Sequence, residues 1–188
     1  MKFKTTLVGG LLTLAIAASA IAFTNGNEDV IVGGQPMMKA KNIIENAVNS
    51  SEHTTLVAAV KAAGLVDALQ GKGPFTVFAP INDAFMKLPE GTVKNLLMPE
   101  NKPMLTKILT YHVVPGRIDS MELKKLIKMG NGKAALKTLS GDTLWAVWNG
   151  PSNIVIKDEK GNTARIPTYD VYQSNGVIHV IDTVLMPN

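Results

Sequence analysis

The chain of 188 residues contains no cysteine and few aromatic residues, which make up 5% of it. Without cysteine, disulfide frameworks, cysteine-ligated metal sites and thiol nucleophiles are all excluded. The scarcity of aromatic side chains argues against a broad platform for stacking nucleic-acid bases. Charge is also sparse, because only 18% of residues are charged and the 19 basic residues exceed the 15 acidic ones by +4. This small excess is dispersed along the chain, so the sequence predicts no nucleic-acid partner.

The beginning of the chain is typical of an exported protein. Two lysines among the first four residues are followed by no charged residue until Glu28, and residues 7–22 are apolar with small residues at their end. A basic start, a short apolar core and an Ala-x-Ala close are the parts of a secretory signal peptide. We predict a signal peptide over residues 1–22, with cleavage after Ala22 or, alternatively, after Ala20. An uncleaved membrane anchor is the weaker alternative. The mature protein is therefore expected to be periplasmic or extracellular, without a stable membrane anchor.

The rest of the chain divides into a leader and one domain. Residues 23–39 have glycines and polar residues without periodicity, which predicts a flexible leader. Residues 40–188 have the usual size of a single domain. Helical patterns come before strand patterns, which predicts an α+β domain with an antiparallel sheet beside packed helices. The predicted helices cover 43–48, 56–63, 65–69, 84–86, 105–112 and 121–129, and the predicted strands cover 75–78, 143–148, 154–156, 168–172 and 177–184.

The three histidines give no sign of a catalytic or metal site. No pair has the i, i+4 spacing of ligands on a helix, and no HExxH motif occurs. His53 lies in a polar segment and is expected to be solvated, whereas the apolar stripe of its helix predicts that His112 is packed in the interior. His179 alternates with Val177 and Ile181, which is the pattern of a half-buried strand residue.

Other catalytic patterns are missing from the sequence as well. There is no Gly-x-Ser-x-Gly elbow and no phosphate-binding loop. The run at 158–162 has Lys160 where a calcium loop needs an oxygen ligand, so a hairpin turn is the better interpretation. We predict that the protein is not an enzyme and holds neither a metal nor a cofactor. An enzyme is kept as a third, weaker alternative, which would require a polar cleft with perturbed titratable groups.

Three separated segments carry a pattern found in a known family. They read GPFTVFAPINDAF at 73–85, YHVVPG at 111–116 and NGVIHVIDTVLMP at 175–187. In their order and spacing they resemble the fasciclin domain family, and the likeness runs from about Asn42 to Asn188. One departure is Ile81, where the family often has threonine.

The resemblance implies a fasciclin-like fold, in which a β-wedge of two short sheets packs against a layer of helices. It also implies that the first and third segments form neighbouring core strands. Their Phe, Val and Ile side chains are then chiefly scaffold, since such apolar runs are typical of strands buried on both faces.

The resemblance further implies a function, because fasciclin domains are extracellular adhesion and interaction modules. We expect a secreted or periplasmic module that binds a cell-surface or matrix protein or polysaccharide. Contact would come from exposed loops and from aromatic anchors such as Trp145, Trp148, Tyr169 and Tyr172. The Tyr-His segment and a partial match to a second adhesive motif make seven residues the candidate partner-binding site: Leu109, Tyr111, His112, Val113, Val114, Asp170 and Val171. A purely structural role for Tyr111 and His112 is an open alternative.

A second class of function is a carrier of a small apolar ligand, such as a carotenoid or a lipid, which the resemblance implies for some members. A carrier needs an open apolar groove, and the nine methionines of the chain would suit an adaptable lining. Visible absorbance in protein purified from its own host would favour the carrier. A colourless protein that coats cells or matrix would favour adhesion.

Overall fold

The structure is a computed structural model that describes residues 29–188. The predicted signal peptide and residues 23–28 of the predicted leader lie outside the described residues. Most helices come before most strands along the described part of the chain, and the predicted α+β class is confirmed. The α-helices are α1 (Ile43–Ala47), α2 (Thr54–Ala63), α3 (Val66–Gln70), α4 (Asn82–Met86), α5 (Thr92–Leu96), α6 (Lys102–Tyr111) and α7 (Ser120–Met129).

The helices follow the apolar stripes of the sequence and end where a glycine permits it. Leu56, Val60 and Ala63 lie on the buried face of α2 as predicted. Gly64 then ends this helix in the left-handed conformation, with φ of 71°, which favours glycine. Helix α5 was not predicted, because none of its residues is buried and so no apolar stripe marks it.

Side chains cap several helix starts, one of them from a distance. The Asp119 carboxylate accepts a hydrogen bond from the Glu122 N–H at 2.9 Å and so caps α7. Asn82 is the first residue of α4, and its Oδ1 accepts a hydrogen bond from the Thr55 N–H at 3.0 Å, at the start of α2. Asn82 therefore ties α4 to α2.

The strands begin earlier in the chain than expected. They are β1 (Val30–Val32), β2 (Gln35–Met37), β3 (Phe75–Pro80), β4 (Val113–Pro115), β5 (Lys133–Lys137), β6 (Thr143–Asn149), β7 (Asn153–Lys157), β8 (Thr163–Arg165), β9 (Thr168–Gln173) and β10 (Gly176–Ile181). Strands β1 and β2 form an antiparallel hairpin, in which Val32 and Met37 are buried. Residues 30–37 therefore carry regular structure, which corrects the prediction of a flexible leader there. Strands of three residues are too short to show periodicity.

The first sheet joins segments that are far apart in the chain. Its strand order is β4-β3-β10-β9, with β3 and β10 parallel and the other pairs antiparallel. The expected adjacency of the first and third segments is confirmed, since Phe75 pairs with Gly176 and Pro80 with Ile181. A Cβ at position 176 would overlap the Phe75 carbonyl oxygen, so this close approach requires glycine. The sheet is mixed, whereas an antiparallel sheet was predicted, because its two central strands run in the same direction.

The second sheet is an antiparallel meander with the order β5-β6-β7-β8. Its two outer strands, β5 and β8, were not predicted. Their inward positions include Ala134 and Ala164, which are buried but contribute little apolar signal to the sequence. Inward and outward side chains alternate along β5, so one face of the sheet is buried and the other meets solvent.

The two largest hydrophobic cores of the domain lie on opposite faces of the first sheet. Val77 and Ile178 pack with α1, α2 and the β1–β2 hairpin in one core. Phe78 and Ile181 pack with α7 and the inner face of the second sheet in the other core. The implied arrangement, a β-wedge of two sheets with a helical layer, is the one observed.

Candidate partner-binding site

Five of the candidate residues lie where α6 ends and β4 begins. Leu109 and Tyr111 are in the last turn of α6, His112 is its C-terminal cap, and Val113 and Val114 belong to β4. All five are buried, with exposed fractions between 0 and 6%. Their side chains face the cores of the domain and not the solvent.

Tyr111 connects α6 to the second sheet. Its hydroxyl donates a hydrogen bond to the Thr143 carbonyl oxygen at 3.0 Å and accepts one from the Glu159 N–H at 3.1 Å. Burial raises the pKa of Tyr111 to about 12, which keeps the hydroxyl protonated and able to donate. These contacts are those of a structural side chain.

His112 connects α6 to the third of the recognisable segments. Its Nδ1 lies 2.8 Å from the Ile108 carbonyl oxygen, and its Nε2 lies 3.1 Å from the Leu185 N–H. Because a carbonyl only accepts and a backbone N–H only donates, the ring is neutral with its proton on Nδ1. Burial lowers the pKa of His112 to about 4. The predicted interior position is confirmed.

Asp170 and Val171 lie on β9, at the opposite edge of the first sheet from β4. Two strands separate β9 from β4, a distance of roughly 14 Å at the usual strand spacing. Val171 is buried, whereas Asp170 is only half-buried. The structure thus does not bring the two groups of candidate residues together.

The Asp170 carboxylate holds the start of α7. It accepts a hydrogen bond from the Ser120 N–H at 2.7 Å and another from the Ser120 hydroxyl. Tyr172, on the same strand, donates to the Asp119 carboxylate at 3.2 Å. Negative charge is favourable at a helix N-terminus, and here it fixes α7 to the edge of the first sheet. Asp170 also has a φ of 58°, which is uncommon for a residue other than glycine.

His179 lies in the middle of the first sheet and is fully buried. Its Nε2 lies 2.9 Å from the Ile118 carbonyl oxygen, and its Nδ1 accepts a longer bond, 3.4 Å, from the Asp170 N–H. The ring stacks on Phe78 with a centroid separation of 5.6 Å, and burial lowers its pKa. The expectation of a half-buried His179 was wrong, because the second sheet covers the face that would otherwise meet solvent.

A small apolar cavity lies between the β1–β2 hairpin, α1, α2 and the first sheet. Its volume is about 50 Å³, and its lining includes Met37, Leu56, Val60 and Val77. The other methionines of residues 29–188 do not line it, and five of them lie exposed on the surface: Met38, Met86, Met104, Met121 and Met129. The expected methionine lining is therefore not present around this cavity.

His53 lies at the wall of the cavity, which corrects the expectation that it is solvated. It is only 5% exposed, and its Nδ1 lies 2.8 Å from the Ser50 hydroxyl. Its Nε2 is buried without a hydrogen-bond partner. Burial lowers the pKa of His53, and the neighbouring Ala79 backbone and Glu52 carboxylate offset part of that effect.

The outward face of the second sheet brings Trp145, one of the expected aromatic anchors, together with lysines that the sequence analysis did not connect with it. Trp145 lies half-buried on this face, and the Lys133 ammonium lies 3.5 Å from the centroid of its ring. Lys157 is directly opposite Trp145 on the neighbouring strand, and Lys137 is exposed on β5. Lys133 and Lys137, four residues apart and therefore on one face of a strand, were the available signal, but it was not recognised because β5 itself was not predicted.

The described residues contain neither a metal-binding cluster nor a membrane-spanning helix. Between residues 29 and 188, no group of three or more His, Asp or Glu side chains is arranged to hold a metal ion. In the same part of the chain, no helix combines the length and apolar character needed to cross a membrane.

Comparison with known proteins decides the family. The family model of the fasciclin domain matches residues 51–187, which is more than half of the chain. The chain belongs to the fasciclin domain family. The recognisable segments of this fasciclin domain all lie within the matched range.

Relatives of this fasciclin domain occur in bacteria and animals. Protein sll1483 of Synechocystis sp. is 45% identical over 97% of this chain and 93% of its own length. Immunogenic protein MPB70 of Mycobacterium bovis is 33% identical over 100% of this chain and 99% of its own length. Transforming growth factor-beta-induced protein ig-h3 of Sus scrofa is 38% identical over 70% of this chain, but over only 17% of its own length.

A solved structure shares the fold. The FAS1 domain pair of the insect cell adhesion molecule fasciclin I superposes with a TM-score of 0.69 over 78% of this chain, at 20% identity. This chain spans 51% of the length of that domain pair. At this identity the likeness establishes the fold alone, and the function has to be argued from the surface.

Proposed function

We propose that this fasciclin domain is an adhesion or interaction module that works outside the cytoplasm and binds a cell-surface or matrix protein or polysaccharide. The match to the family model of the fasciclin domain supports this proposal. The observation that carries it is the burial of the recognisable segments. Because Tyr111, His112 and His179 are committed to internal contacts, recognition is left to the exposed surface.

The mechanism we propose is surface complementarity. Loops and outward strand positions tolerate variation, because they do not determine the core. Trp148 is 37% exposed at the end of β6, and large aromatic side chains at such positions are common anchors in interfaces. Tyr169 is a weaker anchor candidate, because its hydroxyl is already used inside the protein. It accepts a hydrogen bond from the Ile154 N–H and donates one to the Ile154 carbonyl oxygen.

Among the seven candidate residues, we propose that Asp170 is the one a partner reaches in the folded protein. The other six are buried, so a partner would touch them only if their segments left the core. An Asp170→Asn variant keeps the size of the side chain and removes its charge. We expect it to weaken binding to the partner, whereas His112→Gln lowers stability and leaves the affinity of the folded fraction unchanged. If His112→Gln weakened that affinity and Asp170→Asn did not, the buried segment would be the contact.

The test of the function is direct binding of the purified, fluorescently labelled protein to intact host cells and to isolated cell-wall or matrix material. We expect saturable binding that unlabelled protein displaces. The Trp148→Ala variant is expected to bind less tightly, with Asn149→Ala as its exposed neighbour control. Absence of saturable binding to every fraction would refute an adhesion function.

Export is part of the same proposal. The predicted signal peptide implies that the mature protein begins at Phe23, or at Ile21 if cleavage follows Ala20. N-terminal sequencing of the protein recovered from the periplasm or medium decides between these sites. Recovery of the intact chain from the cytoplasm alone would contradict the proposed location.

A carrier of a small apolar ligand is the second candidate function, and the cavity beside His53 is the observation that favours it. The cavity is apolar and has one polar atom without a partner, the Nε2 of His53. Its volume of about 50 Å³ is, however, well below the roughly 300–1,000 Å³ of ordinary ligand sites. A carotenoid or lipid would therefore have to displace the β1–β2 hairpin. Protein purified from its own host should be examined by absorbance and by mass spectrometry of an organic extract. A stoichiometric apolar compound would favour the carrier over adhesion.

A further inference from the structure

The outward face of the second sheet carries charge of one sign. Lys133 and Lys137 on β5, Lys157 on β7 and Arg165 on β8 are all exposed on this face. No outward position of these four strands holds an aspartate or a glutamate. The face is therefore positive, although the whole chain carries only a small net charge.

Three of the four cations are not neutralised. Arg165 pairs with Asp182, with 2.8 Å between Nε and Oδ2. Lys133, Lys137 and Lys157 make no ion pair with any carboxylate of residues 29–188. Glu159 follows β7, and its Oε1 accepts a hydrogen bond from the Thr143 N–H, but its carboxylate forms no ion pair with any of the three lysines. The positive charge of the three lysines is available to an external anion.

The three lysines surround one aromatic ring. Lys157 is the direct cross-strand partner of Trp145, and Lys133 and Lys137 flank Ala135, its partner on the other side. Four residue steps along β5 place its two lysines roughly 13 Å apart, and two strand spacings place Lys157 about 10 Å from β5. We call Trp145, Lys133, Lys137 and Lys157 the Trp145 platform.

We infer that the Trp145 platform binds an acidic polysaccharide, with carboxylate-bearing sugars lying across β5, β6 and β7. The inference rests on the proposed adhesion function and gives it a partner class. The surrounding ammonium groups pair with carboxylates. When Lys133 turns from the indole to a carboxylate, the ring face that it covered becomes an apolar surface for the C–H face of a sugar ring. An extended chain with repeated negative charges fits an open face with separated cations better than a compact ligand does.

Two other anionic partners fit the platform less well. Sequence-independent binding of nucleic acid uses several aromatic rings along a basic groove, and this open face has a single tryptophan. Membrane binding needs apolar side chains that project into the lipid, whereas Trp145 and Val147 are half-buried. Both alternatives are included in the test as competing ligands.

The test uses Trp145 as its own reporter. The chain has two tryptophans, so Trp148→Phe leaves Trp145 as the only one. Because Trp148 is the proposed adhesion anchor, this variant is used for the fluorescence titration alone, and binding to cells or matrix is compared in proteins that keep Trp148. Because the Lys133 ammonium lies against the indole, an anion that recruits this lysine changes the Trp145 emission. The purified Trp148→Phe protein is titrated with an oligogalacturonate at low salt, and with a neutral glucan of the same length. We expect a saturable change with the oligogalacturonate only, and a weaker affinity at higher salt.

A matched pair of triple variants locates the site. Replacing Lys133, Lys137 and Lys157 by glutamine is expected to weaken oligogalacturonate binding by about tenfold or more. The control replaces three exposed lysines of the helical half by glutamine, with the same change in net charge: Lys72, Lys94 and Lys102. We expect less than about a twofold effect from the control. Urea midpoints of both triples should match that of the parent.

Each other outcome overturns the inference. These outcomes are no binding at low salt, equal weakening by the two triples, equal binding of the neutral glucan, or tighter binding of single-stranded DNA or anionic vesicles under the same conditions. If the protein still binds cells or matrix while the platform triple has no effect there, the platform fails and the adhesion function survives. If oligogalacturonate binds but cells and matrix do not, the adhesion function fails and the platform stands.

Discussion

The two sheets of this domain differ in what covers them. Both faces of the first sheet are buried, by the helical layer on one side and by the second sheet on the other. The second sheet is covered on its inner face only, and its outward face carries lysines around Trp145. A strand buried on both faces is restricted to apolar or internally bonded side chains, whereas an outward position is not.

This difference separates the residues that identify the family from those that can recognise a partner. The first and third recognisable segments form the central strands of the first sheet, and the Tyr-His segment leads into a third strand beside them. The segments that make the family recognisable in the sequence therefore owe their residue types mainly to burial. The surface that we propose for recognition lies on strands that carry none of these segments.

The largest expected effect is the loss of stability when a side chain of the first sheet is shortened to alanine, compared with the same change on the outward face of the second sheet. Phe78 is fully buried on the first sheet, so Phe78→Ala should lower the free energy of unfolding by about 3–5 kcal/mol. Val147 is half-buried on the outward face of the second sheet, and Val147→Ala should cost less than about 1 kcal/mol. Urea denaturation followed by circular dichroism measures both values. Similar losses of unfolding free energy would show that the outward face of the second sheet is as important for stability as the buried interior of the first sheet.

A smaller effect is expected on the pH dependence of stability, because His112 is buried beside the first sheet. Its pKa falls from 6.5 in the unfolded chain to about 4 in the fold. The unfolded state therefore binds a proton that the folded state does not, and stability falls as the pH drops from about 6.5 to about 4. His53 and His179, whose pKa values are also lowered, act in the same direction.

The contribution of His112 can be isolated with a variant that does not titrate. Between about pH 7 and about pH 4.5, His112→Gln should lose less stability than the parent by about 2 kcal/mol. Urea unfolding at the two pH values gives the comparison, which is independent of the variant's own loss at neutral pH. A parallel loss in both proteins would mean that His112 is not buried in its neutral form.

The smallest expected effect concerns the connection between the first sheet and helix α2. Asn82 follows β3 and bonds to Thr55 and Ser51 at the start of α2. Asn82→Ala should lower the free energy of unfolding by about 1 kcal/mol, as the loss of a helix cap does. The adjacent, exposed Asp83 makes none of these bonds, and Asp83→Ala should change stability by less than about 0.5 kcal/mol. Equal values for the two variants would remove Asn82 as a link between the sheet and α2.

Local patterns predicted most elements but not their surroundings. The stripe of Leu56, Val60 and Ala63 is complete within one helix, and so α2 could be predicted from adjacent residues. His179 could not be placed in the same way, because its burial depends on a sheet whose strands were only partly predicted. Likewise, β4 and β9 were not known to lie at opposite edges, so the separation of Val113 and Val114 from Asp170 could not be seen in the sequence.

The sequence by itself determined the helical faces, the two central strands, the absence of disulfides and the family to which the chain belongs. Each of these depends on residue types or on periodicity within a few residues. Only the tertiary structure decided the parallel pairing of β3 with β10, the burial of His53 and His179, and the placing of three lysines around Trp145. The physical reason is that burial and cross-strand contact are set by partners distant in the chain, which no local pattern records.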